Sequence, residues 1–434
     1  MTARIVLTGM GVVSPYGVGP HLLWEKLLAG ESGIRPLTSC DLSHVRCQSG
    51  GQWADFRHED FLSPRLVRRI DRFSQFGIIA AQHACADAQV LPAADASSPA
   101  PTAHWETEGR DRIGITVGNN LGGWEFAERE LTTLWQKGPR EVSPYMATAW
   151  FPAAAQGNIS IHLGIKGIGR TFLADRIGGA YALKHAAQCL RAGYADGMFA
   201  GGTEAPFSPY AALCYETSGL MSTQTATRPT SAYRPFDREH NGLVAGEGAA
   251  FLFLEREEDA VRRGATIYAE LAGWDATTDA YDAIRPQPNG VRFAATMRRA
   301  MQRAHITAEQ VDCVFAAGSA VPEEDIAEAR AIRLALCRYA QHIPVTAPKA
   351  AFGNLFGAAT PVDVVIALLA LRHRVIPPTL HLDTIAPECM LDFVVKQPRP
   401  VDRLDVLALN ARGIGGTNAC LILRRWSPQK TTHE

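Results

Sequence analysis

The chain is poor in the features that mark several broad protein classes. Its nine cysteines in 434 residues are odd in number and scattered, with no Cys-x-x-Cys pair. That pattern argues against zinc and against a disulfide framework, and it suits a reducing compartment. Cys189, Cys214 and Cys420 read as small buried hydrophobes. No apolar run approaches the roughly 18–20 residues that cross a bilayer. The formal net charge is −1, so no basic excess draws the chain to nucleic acid or to an acidic membrane. The start, Met1-Thr-Ala-Arg-Ile-Val-Leu-Thr-Gly-Met-Gly11, enters a strand pattern directly and lacks the basic, apolar and cleavage regions of a signal peptide. The expectation is a cytoplasmic globular protein with no metal, no nucleic-acid partner and no membrane.

What is present is alternation. Strand-like apolar runs interleave with helical patterns, the mark of an α/β protein. Ile5-Val-Leu-Thr8 reads as a first strand and Val12-Val-Ser-Pro-Tyr-Gly17 as a loop. Arg65 to Asp87 reads as one long helix, with Leu66, Ile70, Phe73 and Phe76 at helical spacing. Leu91 to His104, rich in Ala, Pro and Ser, reads as a surface loop. The length allows two or three average domains, or one duplicated unit with a large core. One half, 1–260, closes on Gly246-Glu-Gly-Ala-Ala-Phe-Leu-Phe-Leu-Glu255. A second, 261–425, opens near Ile267 and ends on Gly413-Ile-Gly-Gly-Thr-Asn-Ala-Cys-Leu-Ile-Leu423. Both end in a Gly-rich turn that feeds an apolar strand, a faint internal repeat. Residues 426–434 read as a frayed tail.

Three glycine clusters invite a nucleotide-binding reading: Gly9-x-Gly11, Gly118 to Gly123 and Gly413 to Gly416. None has the full dinucleotide spacing or the Gly-Lys-Ser/Thr ending of a phosphate loop. Turn geometry at strand ends explains them better.

The most informative absence is local. The run Thr171-Phe-Leu-Ala-Asp-Arg-Ile-Gly-Gly-Ala-Tyr-Ala-Leu183 leads into an Ala-rich helix and then Ala200-Gly-Gly-Thr-Glu204. It reads as strand, tight turn and buried helix, with a second Gly-Gly turn after the next strand. It resembles the nucleophile turn of the β-ketoacyl synthases in the thiolase superfamily. Counting back from Gly201-Gly-Thr-Glu204, that family's nucleophilic Cys falls on Arg176, and no Cys lies between Cys85 and Cys189 to restore it by a small slip. A Cys at a helix N-terminus gains from the dipole and supplies thiolate near neutral pH, which then takes an acyl group as a thioester. A guanidinium stays protonated and has no lone pair for attack. Its charge at a helix N-terminus calls for balance by Asp175 or by another carboxylate.

The other two catalytic positions of the family are replaced as well. The first His falls on Ala317 in Val314-Phe-Ala-Ala-Gly-Ser-Ala-Val-Pro-Glu-Glu-Asp325. The second falls on Asn354 in Lys349-Ala-Ala-Phe-Gly-Asn-Leu-Phe-Gly-Ala-Ala359, where Lys349 is retained. Those imidazoles hold the thioester carbonyl and stabilise the enolate left by decarboxylation. Ala317 cannot do this, and Asn354 can donate a hydrogen bond but cannot exchange protons.

With the three blanks aligned, the chain resembles the chain-length factors, the ketosynthase-β subunits of type II polyketide synthases. The likeness runs from Arg4 to about Leu423 and includes Trp135-Gln-Lys-Gly-Pro139, Gly157-Asn-Ile-Ser-Ile161, Asp175-Arg-Ile-Gly-Gly179, Glu328-Ala-Arg-Ala-Ile332 and Val345-Thr-Ala-Pro-Lys349. Many members carry Gln at the nucleophile position, a residue linked to decarboxylative priming, and Arg176 departs from that. The resemblance implies a duplicated thiolase fold layered α-β-α-β-α, two pseudo-repeated halves with helices between and outside two mixed sheets. It implies a heterodimer with an active ketosynthase-α subunit, joined through a strand near the nucleophile helix. It implies no cofactor of its own, substrates arriving on the phosphopantetheine of an acyl carrier protein. Gly413, Ile414, Gly415 and Gly416 match the oxyanion and gating loop, with Ile414 in place of its Phe and a packing role only.

Trp124, Ala127 and Leu131 lie at i, i+3 and i+7 on one helix. By pattern alone they read as an ordinary core stripe, while the resemblance places them at the tunnel end that limits chain growth. The Gly413–Asn418 and Gly357–Ala359 text departs from members that build aromatic products, which leaves a reducing or polyene system open. Two other readings stay open too: a priming decarboxylase of malonyl carrier protein, and a homodimeric protein that binds acyl carriers or lipids.

Overall fold

The computed structural model describes residues 3–38, 40–90 and 109–428. Five strands build the first sheet: β1 (Ile5–Ser14), β2 (Ile113–Asn119), β3 (Gly169–Leu173), β4 (Gly197–Glu204) and β5 (Gly248–Arg256). Five more build the second: β6 (Ala269–Thr278), β7 (Cys313–Phe315), β8 (Val345–Thr346), β9 (Val406–Gly413) and β10 (Thr417–Arg425). The spatial orders are β3-β2-β4-β5-β1 and β8-β7-β9-β10-β6. Each half therefore repeats the order third, second, fourth, fifth, first. In each, the second strand is parallel to the third and fourth, and the remaining pairs are antiparallel. The faint repeat of glycine turns in the sequence is a true duplication of topology. The two five-stranded units are joined into one ladder at β1 and β6, where Val6 pairs with Glu270 and Leu7 with Ala269, and a two-residue strand, Gly17–Val18, also pairs with β1.

Eight helices matter for the argument: α1 (Arg72–Ala88), α2 (Trp124–Lys137), α3 (Ala154–Leu163), α4 (Gly178–Arg191), α5 (Pro209–Thr217), α6 (Val291–Arg303), α7 (Pro322–Leu336) and α8 (Ala359–His373). Helices α1 and α3 cover the outer face of the first sheet, α4 and α8 fill the space between the sheets, and α6 with α7 covers the outer face of the second. This is the α-β-α-β-α layering. Against the expectation that no run would reach spanning length, segment Phe356–His373, which includes α8, is apolar and long enough to cross a membrane by composition, but 89 % of it is buried inside the protein. It is a core helix, and central burial accounts for its uniform hydrophobicity.

The Gly9-x-Gly11 cluster turns out to be a packing device. A Cβ on Gly11 would come within 2.1 Å of the Ala80 carbonyl oxygen, so α1, with Ala80, Ala81, Ala84 and Ala88 on its buried side, lies almost against the β1 backbone. Strand β1 also runs on through Ser14, where the sequence suggested a loop.

Other local expectations change. The expected helix from Arg65 to Asp87 is broken in two, a short turn at Pro64–Val67 and then α1. Asp71 interrupts it with extended dihedrals, its side chain accepting from the Phe73 N–H; capping preference overrides apolar periodicity here. Cys189 and Cys420 are buried, but Cys214 is exposed because α5 lies on the surface. Trp426, expected to fray, donates its indole N–H to Glu257 at 2.7 Å. The Leu91 to His104 loop and the end of the tail lie outside the described residues.

Candidate functional site

Strand β3 ends at Leu173, and Asp175, Arg176 and Ile177 form a tight turn before α4 begins at Gly178. Asp175 takes a left-handed backbone (φ 47°), a conformation that Asp tolerates better than most residues. The turn points Arg176 inward, and the residue is only 3 % exposed. Its Nη1 and Nη2 donate to the two carboxylate oxygens of Glu324 at 2.7 and 2.9 Å, and its Nε donates to Asp175 at 3.0 Å. The fork-on-fork geometry is the strong form of a charge-assisted bond. Burial alone would lower the Arg176 pKa, but Glu324 and Asp175 reverse this and raise it above its ordinary value. Burial likewise pushes the Glu324 carboxyl up, and Arg176 outweighs it, holding the group below the usual range. Both carboxylates that balance the charge are thus present. Asp175 is the one visible in the local sequence; Glu324 comes from the first turn of α7.

The structure brings the other sequence-aligned positions to the same place. Arg176, Ala317, Lys349 and Asn354 line a single cavity with a volume of about 10 Å³, room for one water at most. The aligned positions all have partners within the protein, whereas Thr360 Oγ1, Asp363 Oδ1, Asn410 Oδ1 and Arg412 Nε, on residues lining the same cavity, are buried with none among the described residues. Lys349 donates to Asp363 at 2.7 Å and to the Ala316 carbonyl at 2.8 Å. Asn354 donates to the Tyr233 hydroxyl at 3.3 Å and accepts from the Phe356 N–H at 2.9 Å. The Ala317 and Gly318 N–H groups donate to Glu328 at 2.8 and 3.0 Å.

Of the loop Gly413, Ile414, Gly415 and Gly416, the Ile414 N–H donates to Asp175 at 2.8 Å, and its side chain packs on a cluster containing Phe207 and Phe356. Gly415 and Gly416 have positive φ (76° and 71°), as a tight turn requires. Glu204, which in the sequence serves only to set the register, is a structural tie between two turns. Its carboxylate accepts from the N–H groups of Asn120, Leu121 and Gly357, tying the turn before α2 to the turn before α8. Burial pushes that carboxyl up to about 8 against these donors.

Helix α2 carries Trp124, Ala127 and Leu131. Ala127 is buried, Trp124 half-buried and Leu131 exposed, so the row is not the core stripe that its spacing alone suggests. The core face of α2 is Phe126, Ala127 and Glu130. The Trp124 ring sits 4.7 Å from Tyr210 of α5 and 6.2 Å, edge-on, from Trp150. Elsewhere Trp135, Phe151, Ile161 and Leu173 are exposed, and β3, which Leu173 ends, is the outermost strand of its sheet among the described residues. Large exposed apolar groups beside an unpaired strand edge mark an interaction surface.

The comparisons with known proteins agree with this architecture. The β-ketoacyl synthase N-terminal domain matches residues 2–260 and its C-terminal domain residues 268–383. The tetracenomycin polyketide synthase ketoacyl synthase beta subunit of Streptomyces glaucescens is 38 % identical over 424 residues, 98 % of each chain. A 3-oxoacyl-[acyl-carrier-protein] synthase 2 of Synechocystis is 34 % identical over 423 residues, again 98 % of each. The ishigamide ketosynthase/chain length factor structure superposes with a TM-score of 0.88 at 27 % identity, over 98 % of this chain and 100 % of that one. The chain belongs to the β-ketoacyl synthase family and stands with the ketosynthase-β proteins of type II polyketide synthases.

Proposed function

We propose that this chain is a non-catalytic chain-length subunit of a type II polyketide synthase. It pairs with a ketosynthase that carries the cysteine and both histidines, and it limits how far the acyl chain can extend. The observation that carries this reading is the closed site. Where a condensing enzyme holds its nucleophile, Arg176 is locked into Glu324, and about 10 Å³ of space remains. An acyl thioester has no room there, and a guanidinium offers no nucleophile.

The surface supports the partnership. The outer edge of β3 and the exposed Phe151, Ile161 and Leu173 form a flank on which a second thiolase-fold subunit can continue the sheet. In this reading Trp124 and Leu131 stand at the end of a tunnel that opens from the partner's cysteine, and their bulk stops the growing chain. The substrate would arrive on the phosphopantetheine of an acyl carrier protein. A priming decarboxylase fits the site less well, because Asn354 spends one N–H on Tyr233 and Lys349 spends two on Asp363 and the Ala316 carbonyl, and the cavity leaves no room for a malonyl group beside them.

The test is condensation with malonyl carrier protein by this chain alone, by its ketosynthase partner alone and by the co-purified pair. Activity in the pair and none in this chain is expected. Turnover or carbon dioxide release by this chain alone would overturn the proposal.

A further inference from the structure

The start of α2 has no side-chain cap of its own. Its N-cap position is Gly123, and a Cβ there would come within 2.4 Å of the Ala149 carbonyl oxygen and 2.7 Å of the Asp71 Cβ. The cap comes instead from a residue more than fifty positions earlier. Asp71, only 3 % exposed, accepts from the Phe73 N–H at 3.2 Å with one oxygen and from the Phe126 N–H at 2.7 Å with the other. Phe126 is the third residue of α2, the position that an N-cap side chain normally serves. A single carboxylate thus closes the N-termini of α1 and α2 together, where both helix dipoles favour negative charge. The nearest cations are otherwise committed, Arg72 to Glu247 and Arg129 to Glu130 and the Phe126 ring.

Helix α1 is bedded in the core against β1. Whatever ties α2 to α1 therefore sets where α2 begins, and Trp124 is its first residue. The geometry points to Asp71 as a specificity-positioning residue: its second oxygen fixes the depth at which Trp124 stands at the end of the acyl tunnel. This inference rests on the reading of Trp124 as a chain-length gate. A Gly at position 123 follows from it, since the carboxylate occupies the space a side chain would need.

The experiment uses the co-purified pair and three variants of this chain. Asp71→Ser keeps a hydroxyl for the Phe73 N–H, so α1 stays capped, but it is too short to reach Phe126 as well. Asp71→Asn keeps the length but turns an amide N–H towards one of the two donors, and it is read in the same way where the serine variant does not co-purify. Trp124→Ala reports on the gate itself. The expected result is faster backbone hydrogen exchange over 124–130 with unchanged exchange over 73–80. Product lengths should spread towards the longer species made by Trp124→Ala, at a condensation rate within about threefold of the unaltered pair. Unchanged product lengths in the Asp71 variants beside a clear shift in Trp124→Ala would overturn the inference and leave the gate intact. Unchanged exchange over 124–130 would overturn it as well. Silence of Trp124→Ala would bring down the gate reading itself, and with it this inference.

Discussion

Replacing Glu324 by Ala tests the closed site directly, because the cost follows from the geometry. Two N–H···O bonds of 2.7 and 2.9 Å join groups that are each nearly inaccessible to solvent. With charge centres about 4 Å apart and an effective dielectric near 20, their attraction is about 4 kcal/mol. Removing Glu324 alone strands a guanidinium that cannot shed its proton, with only Asp175 left beside it. A loss of about 3–5 kcal/mol of folding stability is expected. Arg176→Met should cost less, because the orphaned Glu324 can take up a proton and become neutral. The double replacement by Met at both positions removes both charges and fills similar volume, so it should recover most of the loss, with a coupling of about 2 kcal/mol or more. Urea unfolding of the unaltered protein, Arg176→Met, Glu324→Met and the double variant gives the coupling, with Glu324→Ala measured beside them. A cost under about 1 kcal/mol for Glu324→Ala would mean that water reaches Arg176. The site would then not be closed, and the case for a non-catalytic subunit would lose its main support.

The remaining predictions address the gate, the interface and the buried acids. In the reconstituted pair, Trp124→Ala should lengthen the products and Ala127→Trp should shorten them; an unchanged length distribution from an intact complex refutes the steric gate. Ile161→Glu or Leu173→Lys alters an exposed side chain, so stability should stay within about ±0.5 kcal/mol while co-purification with the ketosynthase is lost; retained pairing would move the interface elsewhere. Glu204 has a folded pKa raised to about 8, against an unfolded value near 4. Its contribution to stability is complete below about pH 4 and is lost as pH rises to about 8, at up to about 1.4 kcal/mol per pH unit. The Glu204→Gln protein should lack this slope between pH 5 and 7, and a curve parallel to that of the unaltered protein would refute the assignment.

Much of this architecture could be read from the residues. The two glycine turns that end in apolar strands reported a real duplication, because a turn feeding a central strand leaves a local signature. The positions of Arg176, Ala317, Asn354 and Lys349 were also legible, since each sits in a short motif, and the fold brings all four to one cavity. Glu324 was not. Pro322-Glu-Glu-Asp325 announces an acidic first helical turn, but nothing local says that one of those acids meets an arginine 148 residues away. Asp71 was hidden for a related reason. Its neighbours Ile70 and Phe73 continue a helical apolar period, which conceals a cap whose second partner lies across the fold. Trp150 and Tyr210 likewise join Trp124 only through tertiary packing.

The charges around the cavity also decide whether catalysis could be restored by returning the lost residues. Arg176 is paired with Glu324 and Asp175, Lys349 with Asp363, and Arg412 with Asp279. The set is closed, each cation having a carboxylate within 3 Å. Arg176→Cys removes one cation and leaves Glu324 facing the new thiol. A buried carboxylate beside a thiol raises the pKa of both groups, which is the opposite of what a nucleophile requires. Arg176→Cys with Ala317→His and Asn354→His should therefore show no acylation by malonyl or acetyl carrier protein. Adding Glu324→Ala, which removes the competing anion and opens space, should be the first combination to give any. Mass spectrometry of the carrier-treated protein reads this out. Acylation of the thiol introduced by Arg176→Cys, with Glu324 still in place, would show that the cavity, rather than the charge set around it, had been the obstacle.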